Sequence, residues 1–127
     1  MIPPAKNILI IENEAIIALD IKSCFQKAGH YILGTTPSLR DAFSNVKKYK
    51  NADLILIDTN IPDFLPLLSR IEKLNKSLRT PLIILNSRLD DHTKSICKDC
   101  SNVRIVEMPI DNEEFESTIK ETLQLAN

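Results

Sequence analysis

The sequence predicts an open α/β fold, a doubly wound five-stranded parallel sheet with helices on both faces. Three observations carry this. Four short apolar runs are continuous rather than alternating, the pattern of strands covered on both sides. Segments with helical apolar spacing separate them. The alternation gives the order βαβαβαβαβα, which favours right-handed crossovers and one open sheet. A chain of 127 residues fits a single domain over 1–127, with any second domain lying outside this chain. At that length roughly two-thirds of the unfolded surface is buried, so no staples are needed.

The first strand is "NILIIE" (7–12). Ile17, Ile21, Phe25 and Ala28 then form one helical stripe, closed by Gly29 at a helix C-cap position. "YILGTT" (31–36) is a weaker strand run. Ser38, with Asp41 three residues on, caps the next helix, whose stripe is Leu39, Ala42, Phe43 and Val46. "ADLILID" (52–58) is the third strand. Leu67, Ile71, Leu74 and Leu78 make a third stripe running up to Pro81, and "TPLIILN" (80–86) is the fourth strand. A less regular stripe follows at Leu89, Ile96, Cys97 and Cys100. "NVRIVEMP" (102–109) is the last strand, and Asp111 caps a final helix carrying Phe115, Ile119 and Leu123.

Composition narrows the function classes. Hydrophobic residues are 43%, charged residues 26%, and the formal net charge is −1. That balance argues against a nucleic-acid binder driven by phosphate contacts and against a basic membrane-surface module. The first apolar run, Ile8 to Ile11, is too short for a signal peptide or a membrane span. Three cysteines without an export signal predict reduced thiols and a cytoplasmic location.

In sheets of this kind the ligand site forms outside the carboxyl ends of the strands, where strand order reverses. Glu12 and Asn13 follow strand one, Asp58 ends strand three, Asn86 ends strand four, and Met108 with Pro109 ends strand five. These residues should converge. Asp58 is the sharpest of them, because an unbroken apolar run stops on it and passes into a proline-containing loop.

At these residues the chain resembles the receiver domain of bacterial two-component response regulators, over almost its whole length. "ILIIENEAIIALDIKSCFQKAGH" resembles the family's first strand and helix, and "DLILIDTNIPD" its phosphoacceptor strand and loop. "PLIILNS" is similar to the fourth strand with its switch position, and "VRIVEMP" to the fifth with its proline. The resemblance implies the flavodoxin-like strand order 2-1-3-4-5. It implies a signalling module rather than an enzyme, with Asp58 accepting a phosphoryl group from a histidine kinase or phosphotransfer protein. A downstream protein or a second copy of the chain would be further partners. Mg²⁺ would be held by Glu12, Asn13, Asp58 and the backbone carbonyl of Asn60. A carboxylate attacking an anionic phosphoryl group needs its charge neutralised, and a hard divalent cation with oxygen ligands does that.

The chain departs from the family pattern at its working parts. Asn13 stands where the family usually has a second acid, and its amide can ligate Mg²⁺ but brings no charge. Met108 stands where a lysine would pair with the acceptor carboxylate. Such a pair is worth up to about 4 kcal/mol at an intermediate effective dielectric, and a thioether cannot replace it. The switch Ser/Thr is Asn86, whose NH₂ can still donate to a phosphoryl oxygen, with Ser87 beside it. Ile105 occupies the position of a switching aromatic, and Pro66 that of a loop glycine. These changes predict weak or lost Mg²⁺-dependent phosphorylation. They leave open an interaction module of receiver fold that ignores phosphorylation.

Blander readings cover the remaining polar residues. Glu14 reads as a solvated acid in the first turn of helix one, and Asp63 as a turn residue. The "CKDC" pair, Cys97 and Cys100, lies on an apolar stripe and reads as packing. Zinc would need four ligands, with His92 the one nearby and Cys24 and His30 distant in sequence. Two glycines in the chain, Gly29 and Gly34, are too few and wrongly placed for a phosphate-cradling nucleotide loop. Neither histidine sits beside a strand-end nucleophile, which disfavours a hydrolytic triad.

Overall fold

A computed structural model describes residues 4–67, 69–70, 80–86, 91, 94–95, 102–108 and 110–124, with the side chain of residue 46 excepted. Five parallel strands, β1 (Asn7–Ile11), β2 (Tyr31–Thr36), β3 (Leu54–Asp58), β4 (Leu82–Asn86) and β5 (Val103–Glu107), form one sheet in the order β2-β1-β3-β4-β5. Among the described residues, four helices have both ends defined: α1 (Ala15–Lys27), α2 (Leu39–Ser44), α3 (Val46–Tyr49) and α4 (Asn112–Gln124). This is the order expected from the resemblance. The helical stripes expected over 71–78 and 96–100, with the CKDC pair, lie outside the described residues.

Every residue of β3 and β4 is buried, which explains why their sequences run apolar without alternation. One face packs Leu9, Ile11, Ile55, Ile57 and Ile84 under Leu39 and Ala42 of α2. The other packs Ile8, Ile10, Leu54, Leu56 and Leu85 under α1 and α4. There Phe25 and Phe115 meet edge to face at 5.7 Å, joining the two helices across the core. Three residues of the predicted α1 stripe meet this core, Ile21 and Phe25 fully buried and Ile17 at its edge.

The caps follow the sequence. Gly29 has φ +91°, and the His30 N–H donates to Phe25 O at 3.0 Å, the long bond of a Schellman ending. Ser38 Oγ accepts from the Asp41 N–H at 3.1 Å, and Asp111 Oδ1 from the Glu114 N–H at 3.0 Å. The second helix is shorter than its stripe predicts. Asn45, at φ −117° and ψ 33°, breaks it into α2 and α3. The break brings Tyr49 against the edge strand, where a Cβ on Gly34 would sit 2.8 Å from its ring. β2 accommodates this with a register shift, its Leu33 falling between the partners of Ile8 and Leu9.

The amino-terminal rim of the sheet is tied by side chains. The Lys6 N–H donates to His30 Nδ1 at 3.1 Å, and the Asn7 N–H to Asp53 Oδ2 at 2.8 Å. His30 is buried, and its burial pushes the imidazole below its ordinary pKa, helped by Lys6 and opposed by Asp53. A ring that accepts from a backbone amide must keep that nitrogen unprotonated. The stability this bond contributes is therefore complete above the unfolded value of 6.5 and is lost as pH falls through the lower folded value. Chemical denaturation of His30→Gln beside the parent protein should show a smaller acid-side loss below pH 6.5 in the variant.

Candidate functional site

The site lies at the carboxyl rim, where β1 and β3 are neighbours and the strand order reverses. Ile11 pairs with Ile57, so the next residues, Glu12 and Asp58, emerge side by side on one face. The Glu12 N–H continues the ladder to Thr36 O at 2.9 Å, and the Thr59 N–H to Leu85 O at 3.1 Å. Both backbones are thus fixed up to the two carboxylates. Glu12 is 3% and Asp58 2% exposed. The strand end is not one that merely reaches water.

Two carboxylates buried together cannot both hold a full charge without a counterion. Burial, and then the shared proton and repulsion from Asp58, push the Glu12 carboxyl up to about 8. Both Glu12 oxygens are buried without a fully formed hydrogen bond, and the nearby Glu14 N–H opposes the rise only in part. Asp58 is better provided, since the Asn60 N–H donates to its Oδ1 at 2.8 Å. The difference comes from the chain. After Asp58 the loop turns tightly, with the Ile61 N–H on Asp58 O at 3.3 Å, while Ile61 and Phe64 plug into the core.

Asp63 does more than turn the chain. Its Oδ1 accepts from the Leu39 N–H and its Oδ2 from the Arg40 N–H, both at 2.9 Å. It therefore caps α2 from 23 and 24 residues away and ties the loop beyond Asp58 to that helix. No local signal in the sequence marks this, because Ser38 already supplies the expected cap.

The other expected site residues divide. Asn13 and Asn60 sit exposed beside the pair. Glu14 is exposed and occupies the N-cap of α1 without a side-chain capping bond, rather than the first turn expected of it. Asn86 is buried at the end of β4, yet its Nδ2 donates to Glu107 Oε2 at 2.7 Å. Lys94 Nζ stands 3.3 Å from the other oxygen of Glu107. Met108 packs among the α1 and α4 core residues, and Ile105 against the α2 face. Ser87 and Pro109 lie outside the described residues. Cys24 donates weakly to Asn112 Oδ1 at 3.8 Å, and burial pushes its thiol up, away from thiolate chemistry.

The donor set fits a hard cation in one respect: the Glu12 oxygens, buried without a formed hydrogen bond, lie beside a second buried carboxylate, Asp58. Asn13 and the Asn60 carbonyl are the neutral oxygens at hand. Among the described residues no group of three or more His, Cys, Asp or Glu side chains could hold a metal, so neutral ligands would have to complete the shell.

The family model of the response regulator receiver domain matches residues 8–120. The chain belongs to the response regulator receiver domain family. It is 30% identical over 83 residues to the phyllosphere-induced regulator PhyR of Methylorubrum extorquens, a match covering 65% of this chain and 31% of that protein. The receiver domain of a modulated diguanylate cyclase from Desulfovibrio desulfuricans superposes with a TM-score of 0.81 over 97% of both chains, at 17% identity. PhyR from Brucella abortus gives 0.75 over 95% of this chain and 49% of its own, at 20% identity. The receiver thus spans about half or less of these PhyR relatives. Receiver domains are signalling modules that interact with histidine kinases or phosphotransfer proteins and generally bind Mg²⁺ where they are phosphorylated.

Two measurements test this geometry. Because the folded pKa of Glu12 is raised from 4.5 to about 8, its stability contribution is complete below 4.5 and lost as pH rises through 8. Glu12→Gln in chelator-treated protein should remove that loss, leaving the variant more stable than the parent by about 1–3 kcal/mol at alkaline pH. Asp63→Ala should cost about 1–2 kcal/mol in urea unfolding, the scale of a lost helix cap, with Asp63→Asn recovering part of it.

Proposed function

We propose that this receiver accepts, or once accepted, a phosphoryl group on Asp58 from a histidine kinase or phosphotransfer protein, with Mg²⁺-dependent phosphorylation weaker than that of its relatives. The observation carrying this is the buried Glu12–Asp58 pair at the switch of strand order, with the Glu12 oxygens lacking a fully formed hydrogen bond. A cytoplasmic site of action goes with it, and no helix among the described residues is long and apolar enough to cross a membrane.

In the reaction an Asp58 carboxylate oxygen forms a bond to phosphorus as the phosphorus–nitrogen bond of a phosphohistidine breaks, and the imidazole leaves. The Asn60 N–H fixes Oδ1 and holds the carboxylate plane, so the second oxygen is the one presented for attack. Burial removes competing water from the nucleophile and raises the energy of its unshielded charge. Glu12 and Asp58, with Asn13 and the Asn60 carbonyl, would hold Mg²⁺, whose charge would offset that of the incoming phosphoryl group. Asn13 adds no charge and Met108 adds no cation, so the electrostatic assistance is thin. These absences motivate the weakened phosphorylation.

A second reading has its own support. Asn86 donates to Glu107 and Met108 packs into the core, so both positions serve the fold in this state. An interaction module indifferent to phosphorylation would need nothing else of them. Its partners would be a downstream protein or a second copy.

Incubation with Mg²⁺ and acetyl phosphate, followed by intact-mass measurement, separates the two. The phosphoacceptor reading expects a phosphoryl adduct that Asp58→Asn lacks. No adduct, together with no Mg²⁺ binding by titration, leaves the interaction module.

A further inference from the structure

The loop that follows Asp58 is held from outside itself. Its own backbone bonds are long. The Ile61 N–H reaches Asp58 O and the Phe64 N–H reaches Ile61 O, each at 3.3 Å, and the Leu67 N–H reaches Asp63 O at 3.2 Å. These lie at or beyond the far end of the normal range. The bonds to the Asp63 carboxylate are shorter, 2.9 Å from both the Leu39 and the Arg40 N–H, and a charged acceptor strengthens them further. Ile61 and Phe64 fill the core, which sets how deep the loop lies but, as apolar contact, gives it no direction. Leu39 and Arg40 open α2, soon after Thr36, whose carbonyl takes the Glu12 N–H at 2.9 Å. In the sheet β1 lies between β2 and β3. The Asp63 bonds therefore close a circuit over the end of β1. Glu12 is fixed to the end of β2, β2 leads into α2, and α2 is clamped by Asp63, whose loop begins at Asp58 and carries Asn60.

We propose that Asp63 is a positioning residue for phosphoryl uptake, its clamp on α2 holding the turn from Asp58 to Asn60 in place beside Glu12. The inference rests on the reading of Asp58 as phosphoacceptor. That turn supplies the Asn60 N–H, which fixes Asp58 Oδ1 at 2.8 Å. Without the clamp the turn keeps its core anchors and its long backbone bonds, and the Asn60 amide is freer to leave Oδ1. The second Asp58 oxygen would then face an incoming phosphorus for a smaller share of the time. Transfer of this kind depends mainly on placement, so a small displacement of the attacking atom slows it. Because Asp63 also caps α2, lost stability alone does not reveal the role. Ser38 separates the two, since it caps the same turn of α2 through the Asp41 N–H at 3.1 Å, a bond made apart from the Asp58 loop.

Asp63→Ala, Asp63→Asn, Ser38→Ala and Asp58→Asn are treated with acetyl phosphate and Mg²⁺ beside the parent protein. In the reaction an Asp58 oxygen bonds to phosphorus as the phosphorus–oxygen bond to the acetyl group breaks, and acetate leaves. Adduct formation is followed by intact mass, hydrogen exchange of the Asn60 N–H by NMR, and folding by thermal unfolding. Asp63→Ala should slow uptake roughly three- to tenfold and speed exchange at Asn60. Asp63→Asn keeps an acceptor oxygen for one of the two amides and should fall between it and the parent. Ser38→Ala should lower the unfolding temperature yet leave both uptake and Asn60 exchange unchanged. Uptake in Asp63→Ala equal to the parent's, with Asp58→Asn still free of adduct, overturns the positioning role and leaves the acceptor reading intact. Equal slowing in Ser38→Ala does the same, since both residues would then act through the stability of α2. Slower uptake without faster Asn60 exchange also overturns it. No adduct in the parent, or one that persists in Asp58→Asn, overturns both readings.

Discussion

Two carboxylates buried in contact at the rim of a parallel sheet are the constraint around which this molecule is arranged. The sheet imposes the contact. In the order β2-β1-β3-β4-β5 the first and third strands are neighbours, and their paired residues put Glu12 and Asp58 on one face. The apolar residues behind them, Ile10 and Leu56, are wholly buried, so neither acid can retreat from the other without unpicking the core. The cost appears at Glu12, whose proton is held to about 8. A fold that needed only stability would place a neutral residue there.

Among the described residues, other polar groups of this rim brace the strand ends and the loops that leave them. Asn60 supplies an amide to Asp58, Asp63 caps α2, and Asn86 joins β4 to β5 through Glu107. Each fixes the path of a loop leaving a strand. The opposite rim uses the same device at His30 and Asp53, which receive the amides where β1 begins. The two rims differ in one respect. The amino-terminal acceptors each take a backbone amide, whereas the Glu12 oxygens are buried without a fully formed hydrogen bond. Unmatched polarity is therefore concentrated at one end of one pair of strands, where the family is phosphorylated.

The strands, the caps at Ser38, Gly29 and Asp111, and the strand-end acids were legible because each is a local signal. A strand buried on both faces must be apolar along its length, and a cap needs only its own few residues. Three things were not legible. The break at Asn45 depends on Tyr49 packing against Gly34, a contact between separate elements. The cap from Asp63 reaches across more than twenty residues to amides that its sequence neighbours say nothing about. Glu107 read as the tail of a strand, and its hold on Asn86 follows from the register of β4 with β5, which a sequence does not print. Long-range polar pairing was the common blind spot, since periodicity reports burial and not partnership.

The charges at this rim also constrain one another. Lys94 is paired with Glu107, on the far side of β4 from Asp58. The position before Pro109 holds an apolar Met108. Neither of these described residues offers the Glu12–Asp58 pair a cation; a proton or a cation from solution would relieve it. These are alternatives, because a proton on Glu12 occupies the oxygen that a metal would use and removes the charge that would attract it. With the proton bound, an anionic phosphoryl group meets one carboxylate charge fewer, but without a cation to bridge it to the acceptor. With the cation bound, it meets near neutrality and a bridge, at the expense of releasing the proton. An aspartate at position 13 would tilt this competition toward the metal. With an asparagine there, any metal held by this pair would compete with the Glu12 proton, and its binding would depend on pH as well as on metal concentration.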